Sequence, residues 1–343
     1  MIQTAFILFL VSGLTIPMTL GEEIIIVKKP EFRSVRFIDD MQGWIAGSRG
    51  VFLTVDGGKI WKRQPIKLWS GSQFTTTAAA RDIGWISFVD RSNLIIRSDD
   101  GLVFGGPYDS HWRKVKIPIG ILQYMSTISF ADMRYGLGGG DLQIYITGDG
   151  GETWNAKDID VKPTGRFTSL FMLSPLEGFA VGTNATLLKT TNGGISWERR
   201  YLRFGTNGLS GGPDFWSIRF IDKDNGWITG TDGIILNTED GGNTWRKQES
   251  PFQYSTALCA VSFANRTEGW VVGQRYLKGG NYESVILHTL DGGKNWVTQA
   301  IKLQDHLLDV QALSNGVCWV VGKDGTVLMT KDHGETWELK RIE

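Results

Sequence analysis

The chain has 343 residues, with 36 Lys and Arg against 36 Asp and Glu, so its formal charge is zero. That balance excludes a bulk attraction to nucleic acid or to a strongly anionic membrane, and any charged site must be local. Two cysteines and four scattered histidines, His111, His288, His306 and His333, offer no ligand spacing and predict no zinc site and no metal.

From the N-terminus, residues 5–14 form an apolar core, followed by Pro17 and a small-residue cut after Gly21. Residues 1–21 therefore read as a secretory signal. The n-region carries no Lys or Arg, and Ser12, Thr15 and Pro17 interrupt the stretch too early for a membrane span. A cleaved signal is favoured over an uncleaved anchor. No Cys near the cut supports a lipid anchor, so the mature chain is expected to be soluble and exported.

Beyond residue 30 one signature dominates. The pattern T-x-(D/N)-G-G-x-x-W, with close variants, recurs at residues 54–61, 147–154, 190–197, 238–245, 289–296 and 330–337. Return of one motif at roughly 40 to 50 residues points to a repeat architecture. Around each copy, short runs of alternating apolar residues are bounded by Gly, Asp and Asn, as in Ser217-Ile218-Arg219-Phe220, Gly226-Trp227-Ile228 and Ile234-Ile235-Leu236. Four antiparallel strands per repeat, with no helical periodicity between them, make an all-β, seven-bladed β-propeller as a single domain over residues 22–343. Blades are expected to start near Phe32, Phe74, Ser126, Phe167, Phe215, Leu258 and Leu308. The second lacks the full signature, and its closing aromatic is expected at Trp112.

The turn itself explains the signature. Asp56, Asp149, Asn192, Asp240, Asp291 and Asp332 can accept backbone N–H bonds while the glycines supply positive φ. Trp61, Trp154, Trp197, Trp245, Trp296 and Trp337 then pack between blades, each indole N–H needing a partner. A calcium loop would require acidic residues at alternate positions and a Glu at the twelfth, which no copy has.

At these residues the chain resembles Asp-box (BNR) repeat proteins. The pairing of Gly-Trp-(Ile/Val)-x-Gly with T-x-DGG-x-x-W is most similar to the photosystem II stability/assembly factor family, across residues 32–342. The resemblance implies a non-enzymatic, seven-bladed propeller in the thylakoid lumen or periplasm that helps to assemble membrane complexes. It also implies a basic patch, for which Arg33, Arg36, Arg166 and Arg219 are the candidate equivalents. Arg36 and Arg219 share one inner-strand position, where an anion site lining the channel and a structural Arg bonded to neighbouring carbonyls are both open readings.

Excess length falls between blades, at residues 65–73, 105–125, 201–214 and 249–256, and within the sixth blade at 274–284, all on the face opposite the Asp-box turns. Arg199, Arg200, Arg203, Trp69, Tyr201 and Tyr276 there have the composition of a partner-binding surface. The expected partner is a membrane protein complex subunit, bound by a monomer without cofactors or nucleic acid. The alternatives are a glycan-binding propeller and a sialidase-like glycoside hydrolase. Hydrolysis needs two facing carboxylates, and nothing in the sequence pairs Asp214, Asp305 and Asp309.

Cys259 and Cys318 fall on neighbouring sheets, too far apart for a bridge, and are expected to be free thiols. Residues 24–29 could add a strand to the last blade and latch the ring.

Overall fold

The computed structural model describes residues 29–64, 67–70, 73–76, 83–90, 93–98, 101–105, 113–115, 117, 121, 124–159, 165–202, 212–314 and 316–342. Seven four-stranded antiparallel sheets follow one another in simple up-and-down order. Blade 1 comprises Phe32–Phe37, Gly43–Gly47, Gly50–Thr54 and Lys62–Gln64. Blades 3 and 4 repeat this with Met125–Phe130, Gly136–Gly140, Ile144–Thr147 and Asn155–Lys157, then Phe167–Met172, Gly178–Gly182, Thr186–Thr190 and Glu198–Arg199. Blade 5 runs Phe215–Phe220, Gly226–Gly230, Ile235–Thr238 and Arg246–Lys247. Blade 6 has longer strands, Thr256–Phe263, Gly269–Tyr276 and Tyr282–Thr289, before Val297–Thr298. Blade 7 closes with Leu307–Ala312, Cys318–Gly322, Val327–Thr330 and Glu338–Leu339. The architecture is a seven-bladed β-propeller.

Blade 2 corrects the sequence reading. Phe74 lies in a separate two-stranded hairpin, Lys67–Ser70 with Gln73–Thr76, and the blade begins instead at Ile83–Asp90. Its other strands are Asn93–Ser98, Gly101–Gly105 and Arg113–Val115. The Gly84-Trp85 pair, which by analogy with other blades should open a second strand, sits in the innermost one. Ser34 Oγ of blade 1 donates to Ile86 O at 3.1 Å, inner strand to inner strand. Without an Asp-box turn to mark register, the sequence pattern slips by one strand. Trp112 lies outside the described residues.

Each inner strand of the other six blades is built alike. Pairing with the second strand skips one residue, at Arg33, Ser126, Thr168, Trp216, Cys259 and Leu308, which is a β-bulge at the strand entrance. In several of them the third or fifth side chain then bonds the backbone of the next blade. Thr127 Oγ1 and Ser129 Oγ accept the Leu170 and Met172 N–H groups at 3.2 and 3.0 Å, and Ser262 Oγ accepts that of Ala312 at 3.0 Å. A sheet whose inner edge would otherwise be unpaired is thus tied to its neighbour.

The Asp-box turns form as expected. In the blade 7 copy, Thr330 Oγ1 donates to Asp332 Oδ1 at 2.7 Å and accepts Gly334 N–H at 2.9 Å, while Asp332 Oδ1 accepts Thr336 N–H at 2.9 Å. Asp56, Asp149, Asn192, Asp240 and Asp291 accept the equivalent amide. The second glycine lies flat on the previous blade: a Cβ on Gly58 would come within 2.0 Å of the Trp319 ring. The closing tryptophans are less uniform. Trp197 and Trp296 donate to Gly194 O and Gln248 Oε1, both at 3.1 Å, whereas Trp61, Trp154, Trp245 and Trp337 bury the indole N–H without an acceptor among the described residues.

Ring closure joins blade 7 to blade 1 by packing. Phe37 stacks on Trp319 with centroids 4.9 Å apart, and Trp61 meets both rings edge-on. Residues 24–28 of the expected latch lie outside the described residues, and Lys29 belongs to no strand.

Candidate functional site: the central channel and the loop face

Inner strands run from the face carrying the inter-blade loops to the face carrying the Asp-box turns. The loop face is marked by contacts such as Ser48 N to Glu31 O and Thr183 N to Arg166 O, the other by Gly57 N to Met41 O. Position along the inner strand therefore sets depth in the channel. The second residue stands at the loop-face mouth and the fifth near the Asp-box end.

The channel encloses about 670 Å³. Its lining mixes apolar residues with Ser and Thr, Ser34, Ser87, Ser126, Ser129 and Thr168 among them, and among the described residues it carries three arginines, Arg33, Arg36 and Arg219, against one carboxylate, Asp309. Arg33, at the mouth, is held by Glu31 at 3.0 Å. Arg36 Nη1 meets Asp309 Oδ2 at 2.5 Å and donates to Val35 O at 2.6 Å. Asp309 Oδ2 also accepts Val35 N–H at 3.1 Å, so this carboxylate does for blade 1 what Ser and Thr do elsewhere. Arg219 donates to its own strand at Ile218 O, 2.9 Å away. Burial, then the like charge of Arg36, bring its pKa down to about 10, with Asp309 opposing.

The structure therefore brings Arg33, Arg36 and Arg219 to one channel and leaves Arg166, Arg199 and Arg200 apart from it. Arg166 lies on the loop face beside Asp141, 3.7 Å away and largely exposed. Arg199 and Arg200 sit at the outer edge of blade 4, in a groove shared with Asn243, Thr244 and Trp245 of blade 5. Arg200 pairs with Glu198 at 3.2 Å, and the Arg199 guanidinium lies 5.9 Å from the centre of the Tyr201 ring. Tyr201 is 83% exposed. Arg203 lies outside the described residues, as does the Trp69 side chain, whose backbone is in the hairpin before blade 2.

Tyr276 ends the lengthened second strand of blade 6, where its N–H bonds Ser255 O at 2.8 Å beside exposed Tyr254. Tyr282 and His306 complete this cluster, their rings 4.2 Å apart. His306 comes from the loop before blade 7, so no local sequence pattern pairs it with Tyr282.

The three carboxylates considered for hydrolysis have backbone work. Asp305 is buried and takes Asp324 N–H on both oxygens at 3.0 Å. Asp214 accepts Asn184 N–H at 2.9 Å, and Asp309 is the partner of Arg36. Cys259 and Cys318 are free thiols, and burial pushes the Cys259 pKa up to about 11. Among the described residues no cluster of His, Cys, Asp and Glu is placed to hold a metal ion.

The profile of the photosynthesis system II assembly factor YCF48 family matches residues 106–216 and 212–307. The chain belongs to this family. It is 30% identical over 184 residues to the photosystem II assembly lipoprotein Ycf48 of Synechococcus sp. (strain CC9902), a match covering 53% of this chain and 39% of that protein. It is 25% identical over 166 residues to the chloroplastic photosystem II stability/assembly factor HCF136 of Arabidopsis thaliana, covering 48% of this chain and 28% of the relative. The matches thus span well under half the length of these relatives, which are assembly factors.

Among solved structures, YCF48 bound to D1 peptide superposes with a TM-score of 0.62 at 18% identity, covering 88% of this chain and 93% of that one. The GH74 xyloglucanase from Xanthomonas campestris superposes at 0.65 with 11% identity, covering 92% of this chain and 55% of the enzyme. At such identities these likenesses speak to the fold, which serves both binding and hydrolysis.

Proposed function

We propose that this chain is an exported, non-catalytic propeller that works as a monomer to assemble or stabilise a membrane protein complex, binding one subunit through its loop face. In a photosynthetic host the complex is of the photosystem II type. Residues 1–21 act as the export signal, delivering the chain to the periplasm or thylakoid lumen. Family membership is the observation that carries this reading. It is supported by a relative known bound to a D1 peptide and by the exposed cluster of Tyr254 and Tyr276 on blade 6. No helix among the described residues is long and apolar enough to cross a membrane.

Aromatic side chains displayed on lengthened loops of a rigid sheet are suited to a protein hot spot. The carboxylates a glycosidase would need are bonded to backbone or to Arg36, which favours binding over hydrolysis. Cross-linking mass spectrometry on the host's own membranes tests the reading. The expected result is one membrane-protein subunit linked to loop-face residues, lost when Tyr254 and Tyr276 are both changed to Ser. Links spread over many unrelated proteins and unchanged by those substitutions would overturn it, and retention on a glycan array abolished by the same substitutions would establish the sugar-binding alternative.

A further inference from the structure

Among the described residues, one cation lining the channel has no ion-pair partner. Arg219 makes one hydrogen bond, to the carbonyl of the preceding residue, and no ion pair among the described residues. A guanidinium has five N–H donors, and Arg219, half-buried in the inner wall of blade 5, lines the channel. In three other blades the equivalent residue is spent on stitching: Ser129 and Ser262 accept neighbouring amides, and Gln311 both accepts Phe37 N–H and donates to Phe37 O. Arginine, a donor only, cannot accept a backbone N–H, so its presence at this position does not serve that stitching.

Charge bookkeeping in the lumen narrows the ligand. Glu31 neutralises Arg33 at the mouth, and Asp309 neutralises Arg36. Among the described residues one positive charge remains, on Arg219. At the same depth the Ser129 hydroxyl accepts Met172 N–H at 3.0 Å and so retains its own proton to donate. Phe171 and Phe220 also line the channel, their rings 5.6 Å apart.

We propose that the Asp-box end of the central channel is a site for a single carboxylate group, held by the Arg219 guanidinium fork with Ser129 as a further donor. A monocarboxylate matches the one uncompensated charge, and its two oxygens match the planar fork. The channel, at about 670 Å³, admits a small organic acid whole. The same group could also be the terminal carboxylate of a chain entering the channel. This site lies inside the ring and is independent of client binding on the loop face.

The test is titration of the full chain with sodium acetate against sodium chloride at matched ionic strength, read by thermal melting and by carboxylate carbon NMR. The melting temperature should rise with acetate beyond the chloride control. Arg219→Gln should weaken that response tenfold or more, while Arg246→Gln, on the outer strand of blade 5, leaves it unchanged. Arg219→Lys keeps the charge without the fork and should give an intermediate affinity, which covers the case in which the Gln variant does not fold. Two copies of one ten-residue peptide, with free and amidated C-termini, separate the sources: preference for the free acid over both amide and acetate assigns the site to a chain terminus. Equal responses to acetate, chloride and both peptides, or a response unchanged in both Arg219 variants, would overturn the proposal. Failure of the loop-face reading would leave these titrations untouched.

Discussion

Asp309 and Arg36, 273 positions apart in the chain, meet at 2.5 Å across the seam between the last blade and the first. The same Asp309 oxygen accepts the Val35 amide, so one carboxylate joins the two ends of the ring by charge and by backbone. Asp309→Ala removes both and leaves Arg36 without its counter-ion. A loss of about 2 kcal/mol is expected. Asp309→Asn keeps an acceptor for Val35 and should lose less. Urea denaturation of the three proteins decides this, and identical midpoints would show that packing alone closes the ring.

At the neighbouring seam, His333 of the blade 7 Asp-box turn contacts the buried Glu268 carboxylate of blade 6 at 2.7 Å. His333 has φ of 59°, where the other five turns place Gly57, Gly150, Gly193, Gly241 and Gly292. Both His333→Ala and His333→Gly lose the contact, but Ala retains the left-handed strain. The Gly variant should therefore be more stable than the Ala variant by about 1 kcal/mol, measured by thermal or urea unfolding. The reverse order would show that the turn is relaxed at this position.

His288 shares Glu268 from the other side at 3.4 Å and stacks on Trp270. Burial lowers its pKa, with the Glu268 hydrogen bond opposing. The unfolded chain therefore takes up this proton first, at about pH 6.5. Its contribution to stability is full above that pH and is lost as pH falls toward the folded value. Asn237 occupies the equivalent place in blade 5, opposite Trp227 as His288 is opposite Trp270. His288→Asn should consequently flatten the melting temperature profile between pH 7 and about 5, and an unchanged slope would remove His288 as its source.

The Asp-box carboxylates set an acid limit of their own. In Asp332 the Thr336 hydroxyl and amide, then the Thr330 hydroxyl, hold the pKa at about 2. The folded value lies below the unfolded one of about 3.9, so the stabilisation is present above roughly pH 4 and is lost on descending toward pH 2. Asn192 fills the same position in blade 4 and accepts Ser196 N–H at 2.9 Å. Asp332→Asn should fold, and should show a shallower decline in melting temperature between pH 4.5 and 2.5 than the parent. Parallel curves would place the acid sensitivity elsewhere.

The repeated turn made the propeller legible, because each copy specifies a local structure through contacts within about eight residues, and local contacts are written in local sequence. Strand order within a blade and the roles of Asp56, Asp149, Asn192, Asp240, Asp291 and Asp332 follow from it. Where the turn is missing, in blade 2, the repeat pattern points to an inner strand near Phe74, whereas the inner strand is Ile83–Asp90. Arg36 and Arg219 could be matched by position in their repeats, yet only the closed ring brings them to one lumen and supplies Asp309 to one and not to the other. Arg199 and Arg200 carried the same composition and came to rest on an outer edge, away from that lumen. Composition and spacing determine which side chains are available and which turns form. Which charges face each other depends on the circular packing of blades that lie far apart in the chain, and is decided only when the ring closes.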